Sequence, residues 1–280
     1  MSIMLKTFAV VIGLSVVVLA CHHFCFAQTA TPAGERMVLT LNGVEYPFRW
    51  CPAGTFMMGS TESEPGRESN ETLHQVTLTR GFWMLETAVT QTMWVGVMGE
   101  TPRAFRGSDF PMDLISWEDC RAYIQKLNDL KSAPSGYRFS LPTEAQWEYA
   151  CRAGTTTPFH FGSALNGDKA NCTGDFPYGT ETKGPSLSRT TDVGSYPANA
   201  WGLRDMHGNV WEWCLDWKGD YPNSDATDPT GPSTGSERVL RGGSWCSSAA
   251  ACRSAYRYYC VPSDQHFVNG LRLVLVPLVN

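Results

Sequence analysis

Between Gly154 and Gly235 the chain has no repeating apolar pattern, neither the two-residue period of a strand nor the longer period of a helix. Gly, Pro, Asn, Asp, Ser and Thr dominate it instead. A stretch of that length without regular elements is unusual in a compact domain, where it either carries function or is tied down by ions and bridges. The chain also holds 10 tryptophans, several of them in this half. Large aromatic anchors of this kind supply core that regular elements do not. The class implied is α+β, with much irregular structure.

The regular elements lie mostly before that stretch. Met37 to Leu41 and Val44 to Phe48 alternate as strands do, and Asn42-Gly43 between them is a tight hairpin turn. Gly54 to Met58, Gln75 to Leu78 and Phe82 to Leu85 continue the short-strand pattern. Ser116 caps a helix whose Cys120, Tyr123, Ile124 and Leu127 share one face. Thr143 and Gln146 form a capping box for a second helix, with Trp147, Ala150 and Cys151 inward and Gly154 just beyond its end. A shorter helix starts at Thr90 and turns Trp94, Val97 and Met98 inward.

The N-terminus carries Lys6 and then an uncharged apolar run from Thr7 to Ala20, which reads as a secretory signal over residues 1–27. The run is short for a bilayer span, and no later segment approaches the roughly twenty apolar residues needed. Two cleavage readings fit: Val18-Leu19-Ala20-Cys21, with Cys21 as a lipidated residue, and Cys25-Phe26-Ala27 before Gln28. The expected location is extracytoplasmic, with membrane attachment only through such a lipid. About 255 residues then remain, enough for one domain. A net charge of −5 with scattered Lys and Arg gives no basic stripe, so nucleic acid is not an expected partner. The eight or nine cysteines left in an exported chain favour some disulfides, whose pairing composition does not reveal. The histidines form no cluster, and His207 has no second histidine or cysteine at ligand spacing, so a structural role is expected of it. Neither a phosphate-cradling glycine loop nor a nucleophile elbow is present.

Four segments in order carry a resemblance: Gly54-Thr55-Phe56-Met57-Met58-Gly59-Ser60, Leu141-Pro142-Thr143-Glu144-Ala145-Gln146-Trp147-Glu148-Tyr149-Ala150, Gly202-Leu203-Arg204-Asp205-Met206-His207-Gly208-Asn209-Val210-Trp211-Glu212-Trp213, and Arg238-Val239-Leu240-Arg241-Gly242-Gly243-Ser244-Trp245. Over residues 37–277 the chain resembles the sulfatase-modifying factor family, whose best known members are the formylglycine-generating enzymes. The resemblance implies a C-type-lectin-like fold with small antiparallel sheets, two main helices and long irregular loops. It also implies a calcium site formed by the Asp205 side chain, the Gly208 and Val210 carbonyls and the Glu212 side chain, an oxygen donor set suited to that ion. A second calcium site near Asn171 is suggested, although the loop after it departs from the family pattern.

The enzymes oxidise a cysteine in an unfolded sulfatase peptide, and two active-site cysteines bind copper(I), for which soft thiolates are apt. One of them directly precedes the family's Tyr-Arg-Tyr step, where this chain has Ala255 before Tyr256-Arg257-Tyr258. Cys246 is close to the other position and Ser244 matches an active-site serine, so these two are the catalytic candidates if the chain is an oxidase. The resemblance further implies a disulfide between Cys214 and Cys252, and a structural Cys260.

The C-terminal segment also resembles the variable proteins of diversity-generating retroelements, in which adenines of Asn codons are randomised on such a scaffold. Frame residues Cys252 to Ala255, Arg257, Pro262, Gly270 and Arg272 separate Cys246 to Ala251, Tyr256, Tyr258 to Cys260, Ser263, Asp264 and His266 to Asn269. Every intervening residue belongs to the set that such codons reach. Gln265 and Leu271 depart from an Arg and a Phe common in relatives. The expected function is noncatalytic binding of a protein or glycan ligand by Cys246, Ser247, Ser248, Tyr256, Tyr258, Tyr259, Ser263, Asp264, His266, Phe267 and Asn269. Aromatic side chains suit recognition because they bring large area with few rotors. The alternative is a formylglycine-generating oxidase or a related oxidoreductase.

Overall fold

A computed structural model describes residues 31–99 and 104–278. The expected leader, including Cys21 and both cleavage sites, lies outside the described residues. Among the described residues no helix is long and apolar enough to cross a membrane.

The chain opens on the hairpin read from the sequence. Strands β1 (Arg36–Leu41) and β2 (Val44–Cys51) pair Leu41 with Val44. Asn42 and Gly43 between them have φ of 50° and 79°, the two left-handed residues that match a two-residue turn to strand twist. Strand β2 also pairs with β5 (Phe82–Leu85), and β12 (Val274–Pro277) from the far end of the chain inserts between β5 and β6 (Tyr137–Ser140). The resulting five-stranded sheet is antiparallel throughout. A three-stranded sheet joins β3 (Gly54–Met58), β4 (His74–Leu78) and the short β8 (Ala226–Thr227).

Among the described residues three α-helices stand where local chemistry starts them. Thr90 caps α1 (Gln91–Met98), which buries Met93 and Trp94 and leaves Val97 and Met98 half-buried. Ser116 and Asp119 close a capping box at α2 (Trp117–Asp129), and Thr143 and Gln146 do so at α3 (Glu144–Arg152). The stop of α3 falls one residue before the expected glycine. Ala153 takes the left-handed conformation, φ 45°, and its N–H bonds the Tyr149 carbonyl. That geometry costs a non-glycine residue about 1 kcal/mol. Asn199 compensates by donating to the Ala150 and Cys151 carbonyls at 2.7 and 3.2 Å, which fills acceptors a helix end leaves open.

A third sheet, in the order β10 (Tyr258–Cys260), β9 (Arg238–Arg241), β7 (Trp211–Trp217) and β11 (Asn269–Gly270), holds the C-terminal motifs. Its strand β7 alternates between two cores: Trp211 and Trp213 enter the cluster around Tyr123 and Leu127, while Cys214 joins Trp147 and Val239. From Thr155 to Val210 there is no helix or strand. That stretch is anchored by a third cluster of Phe159, Leu165, Cys172 and Tyr178 with Ala249 and Cys252, as the aromatic-anchor reading expected.

Candidate functional site

The frame arginines of the C-terminal segment, Arg253, Arg257 and Arg272, face inward and are bound by carboxylates. Arg257 donates from Nε and Nη2 to the two oxygens of Glu144, both at 2.7 Å, and from Nη1 to the Asn70 carbonyl. Arg253 reaches both oxygens of Glu71 and Oε1 of Glu64. Arg272 grips Glu212, and Arg241 bridges Glu144 and Glu148. Burial alone would raise the Glu144 carboxyl, but Arg257 and Arg241 override it and hold it at about 2. Such forks are geometrically exacting, and removing one partner leaves a buried charge exposed to no water, at a cost of about 3–5 kcal/mol. Cys252, Ser254, Ala255 and Gly270 are buried beside them.

The intervening residues divide: Ala249, Val268 and the expected contact residue Asn269 are buried, and the rest are exposed or half-buried. Cys246, Tyr258, Ser263, His266 and Phe267 are exposed, and Ser247, Ser248, Tyr256 and Asp264 are half-buried. Strand β10 decides which of its residues join the site, because successive side chains point to opposite faces. Tyr258 stacks on Trp211 at 5.0 Å and lines a hollow with Cys260. Tyr259 leaves by the other face, where Asn70 donates to its hydroxyl and Lys218 lies 4.5 Å over its ring. Tyr259 is therefore not part of the surface expected for it.

The hollow encloses about 270 Å³ and is lined by Trp211, Ser244, Cys246, Ser247, Tyr258, Cys260, Asp264, His266, Val268 and Asn269. It approaches the lower end of small-molecule pockets, roughly 300 Å³. Asn269 is 1% exposed, and neither end of its side-chain amide has a partner. His266 and Phe267 form a ridge beside the hollow, their rings 4.3 Å apart, with Phe267 against Trp245 at 5.8 Å. Ser248, Tyr256, Ser263 and Phe267 lie outside the hollow itself. Sequence reasoning missed Trp211, Cys260 and Val268 as lining residues. Trp211 stood in a recognised motif, but its pairing with Asn269 joins β7 to β11 across the chain.

The copper pair does not fit this chain. Ala255 is 1% exposed and supplies no sulfur. Cys246 lies 3.5 Å from the Ser244 hydroxyl, but the thiol sharing its hollow, Cys260, is pushed up to about 11 by burial and by its hydrogen bond with Asp264. Cys252 lies instead in one buried cluster with Cys172. The expected pair is not brought together: Cys214 sits in the cluster with Trp147, and Cys252 in the cluster with Cys172.

Of the four expected calcium ligands, Asp205 fits best. Its Oδ2 accepts from the Gly194 N–H, its Oδ1 is buried without a partner, and burial pushes the carboxyl up to about 6. Gly208 and Val210 belong to the same turn, in which Gly208 at φ 82° packs so close to the Asn171 carbonyl that a side chain has no room. Glu212 is already engaged, one oxygen by Arg272 and the other by Arg272 and the Trp147 indole at 2.7 Å. His207 is structural. Its Nδ1 bonds the Cys252 carbonyl at 2.7 Å and its Nε2 accepts from the His160 N–H. One ring nitrogen donating and one accepting is the neutral tautomer, and burial, then His160, lower its pKa to about 3.

Three small sheets, antiparallel except for the β7–β11 and β4–β8 pairs, three capped helices and a loop-built surface define a C-type-lectin-like fold of the formylglycine-generating-enzyme type. The sulfatase-modifying factor enzyme 1-like domain model matches residues 48–276. The chain belongs to that family. A formylglycine-generating enzyme of Streptomyces coelicolor is 35% identical over 199 residues, 66% of this chain and 60% of the relative. That of Mus musculus is 32% identical over 200 residues, 69% of this chain and 49% of the relative. The chain thus spans between about half and three fifths of these curated relatives. Among solved structures, Treponema denticola variable protein 1 superposes with a TM-score of 0.74 at 28% identity, over 88% of this chain and 100% of that one. The structure of PvdO from Pseudomonas aeruginosa gives a TM-score of 0.74 at 27% identity, over 89% of this chain and 100% of that one.

Proposed function

We propose that this chain is an exported, noncatalytic binding member of the family, which presents the surface from Cys246 to Asn269 to a protein or glycan ligand. The observation that carries the reading is the division of that segment. Arg253, Arg257 and Arg272 are buried in carboxylate forks, while Tyr258, Ser263, His266 and Phe267 between them face out. A scaffold built this way holds its shape independently of what it displays. The similarity to a protein named as a variable protein supports the same division. Calcium at Asp205 belongs to this reading, supported by the buried Oδ1 without a partner.

The competing reading is a formylglycine-generating oxidase, favoured by Cys246 and Ser244 standing together in the hollow. Incubating the protein with copper(I), oxygen and a Cys-x-Pro-x-Arg peptide separates the two. The peptide thiol is expected to persist, and conversion to an aldehyde would overturn the binding reading. Diversification has its own test in the gene: a near-copy of the C-terminal coding segment, rich in AAC codons, is expected close to a reverse transcriptase. Without that copy the retroelement part falls, and ligand binding is judged by the surface alone.

A further inference from the structure

We infer that Cys172 and Cys252 form a disulfide as the chain folds, stapling the base of the Cys246–Cys252 loop to the irregular stretch that supports it. The backbone already brings the two segments together. The Thr173 N–H donates to the Ser247 carbonyl at 2.8 Å, Thr173 and Ser248 form a parallel bridge, and the Ala249 N–H bonds the Phe176 carbonyl. Cys172 and Cys252 meet inside the small cluster that these contacts enclose, with Phe159, Tyr178 and Ala249 around them. Gly243 takes part as well, because a Cβ there would collide with the Cys252 sulfur.

Other thiols are placed elsewhere. Cys214 packs with Trp147 and Val239, Cys246 faces solvent, and Cys151 lies against the Met206 carbonyl and His207. The hydrogen bond from Cys252 also lowers the Cys172 thiol, which marks Cys172 as the attacking sulfur. Its thiolate attacks one sulfur of a small-molecule disulfide such as oxidised glutathione and releases one glutathione thiolate. The Cys252 thiolate then attacks the Cys172 sulfur of the mixed disulfide and expels the second. Two protein thiols lose two protons and two electrons, and the oxidant gains them. The staple fixes the inner end of the loop and leaves Cys246 to Ser248 outside it. It stands whether or not the surface binds a ligand.

The test is a peptide map of the full chain refolded in oxidised and reduced glutathione, alkylated, and digested with trypsin without reduction. Peptide 170–183 is expected joined to peptide 242–253, with the same linkage in the Cys246→Ser variant, which assigns it to Cys252. Reduction should lower Tm by roughly 5–15 °C, and the Cys172→Ala/Cys252→Ala double variant should melt at the reduced temperature with or without reductant. A link from 242–253 to 205–218, which holds Cys214, or from Cys246, overturns the inference, as do free thiols at both positions. Should the double variant fail to fold, the map of the unaltered chain decides alone.

Discussion

Arg257 and Glu144 face each other fork to carboxylate, two bonds of 2.7 Å joining a residue between two displayed tyrosines to the first residue of α3. The pair is buried, and Arg241 shares the same carboxylate. Replacing Arg257 with Ala leaves Glu144 short of a counter-charge and should cost about 3–5 kcal/mol in urea unfolding. Arg257→Lys should recover little of it, since an ammonium cannot span both oxygens. A loss under about 1 kcal/mol would show the fork to be ornamental.

His207 makes stability depend on pH in one direction. Its folded pKa, about 3, lies below the unfolded value near 6.5, so below pH 6.5 the unfolded chain binds the extra proton. The contribution is complete above that pH and is lost as pH falls toward 3. Between pH 6.5 and 5 this group alone should remove about 1.5 kcal/mol. Unfolding curves at the two pH values should differ by that much less in His207→Asn, and an unchanged difference would assign the loss to other groups.

Access should order the thiols. Cys246 is exposed, whereas Cys260 is half-buried with its thiol at about 11. Timed alkylation with iodoacetamide at pH 7.5, followed by peptide mass spectrometry, should modify Cys246 well before Cys260. Equal rates would mean that the hollow opens more widely than its walls allow.

What local chemistry decides was legible in the sequence. Asn42-Gly43 needs no distant partner to turn the chain, and the boxes at Ser116 and Thr143 close within three residues. The site was legible as a segment but not as a surface. Tyr259 was misplaced because the side it takes depends on the pairing of β10 with β9. Glu144 gives no hint of being a hub, since its arginines stand 97 and 113 residues away. The closeness of Cys172 to Cys252 was not legible for the same reason: Cys172 reaches that cluster through a stretch with no periodicity to place it.

Calcium should act through Asp205. At pH 7.5, above its pKa of about 6, the carboxylate is ionised and its unpaired oxygen can take a cation. Calcium at about a hundred times its dissociation constant adds about 2.7 kcal/mol of stability, roughly 5–10 °C in Tm for a chain of this size. Differential scanning calorimetry should show that rise in the unaltered protein and none in Asp205→Ala. A flat response in both removes calcium from the account.

The division between a fixed frame and a free surface is tested most directly by thermal melting of one variant in which Tyr258, Ser263, His266 and Phe267 are all replaced at once by other residues reachable from an Asn codon. Exposed substitutions cost about 0.5 kcal/mol or less each, so the variant should melt cooperatively within roughly 8 °C of the parent. The single Arg257→Ala variant should fall further. If the surface variant unfolds while Arg257→Ala melts like the parent, the displayed residues are the core and the account is wrong.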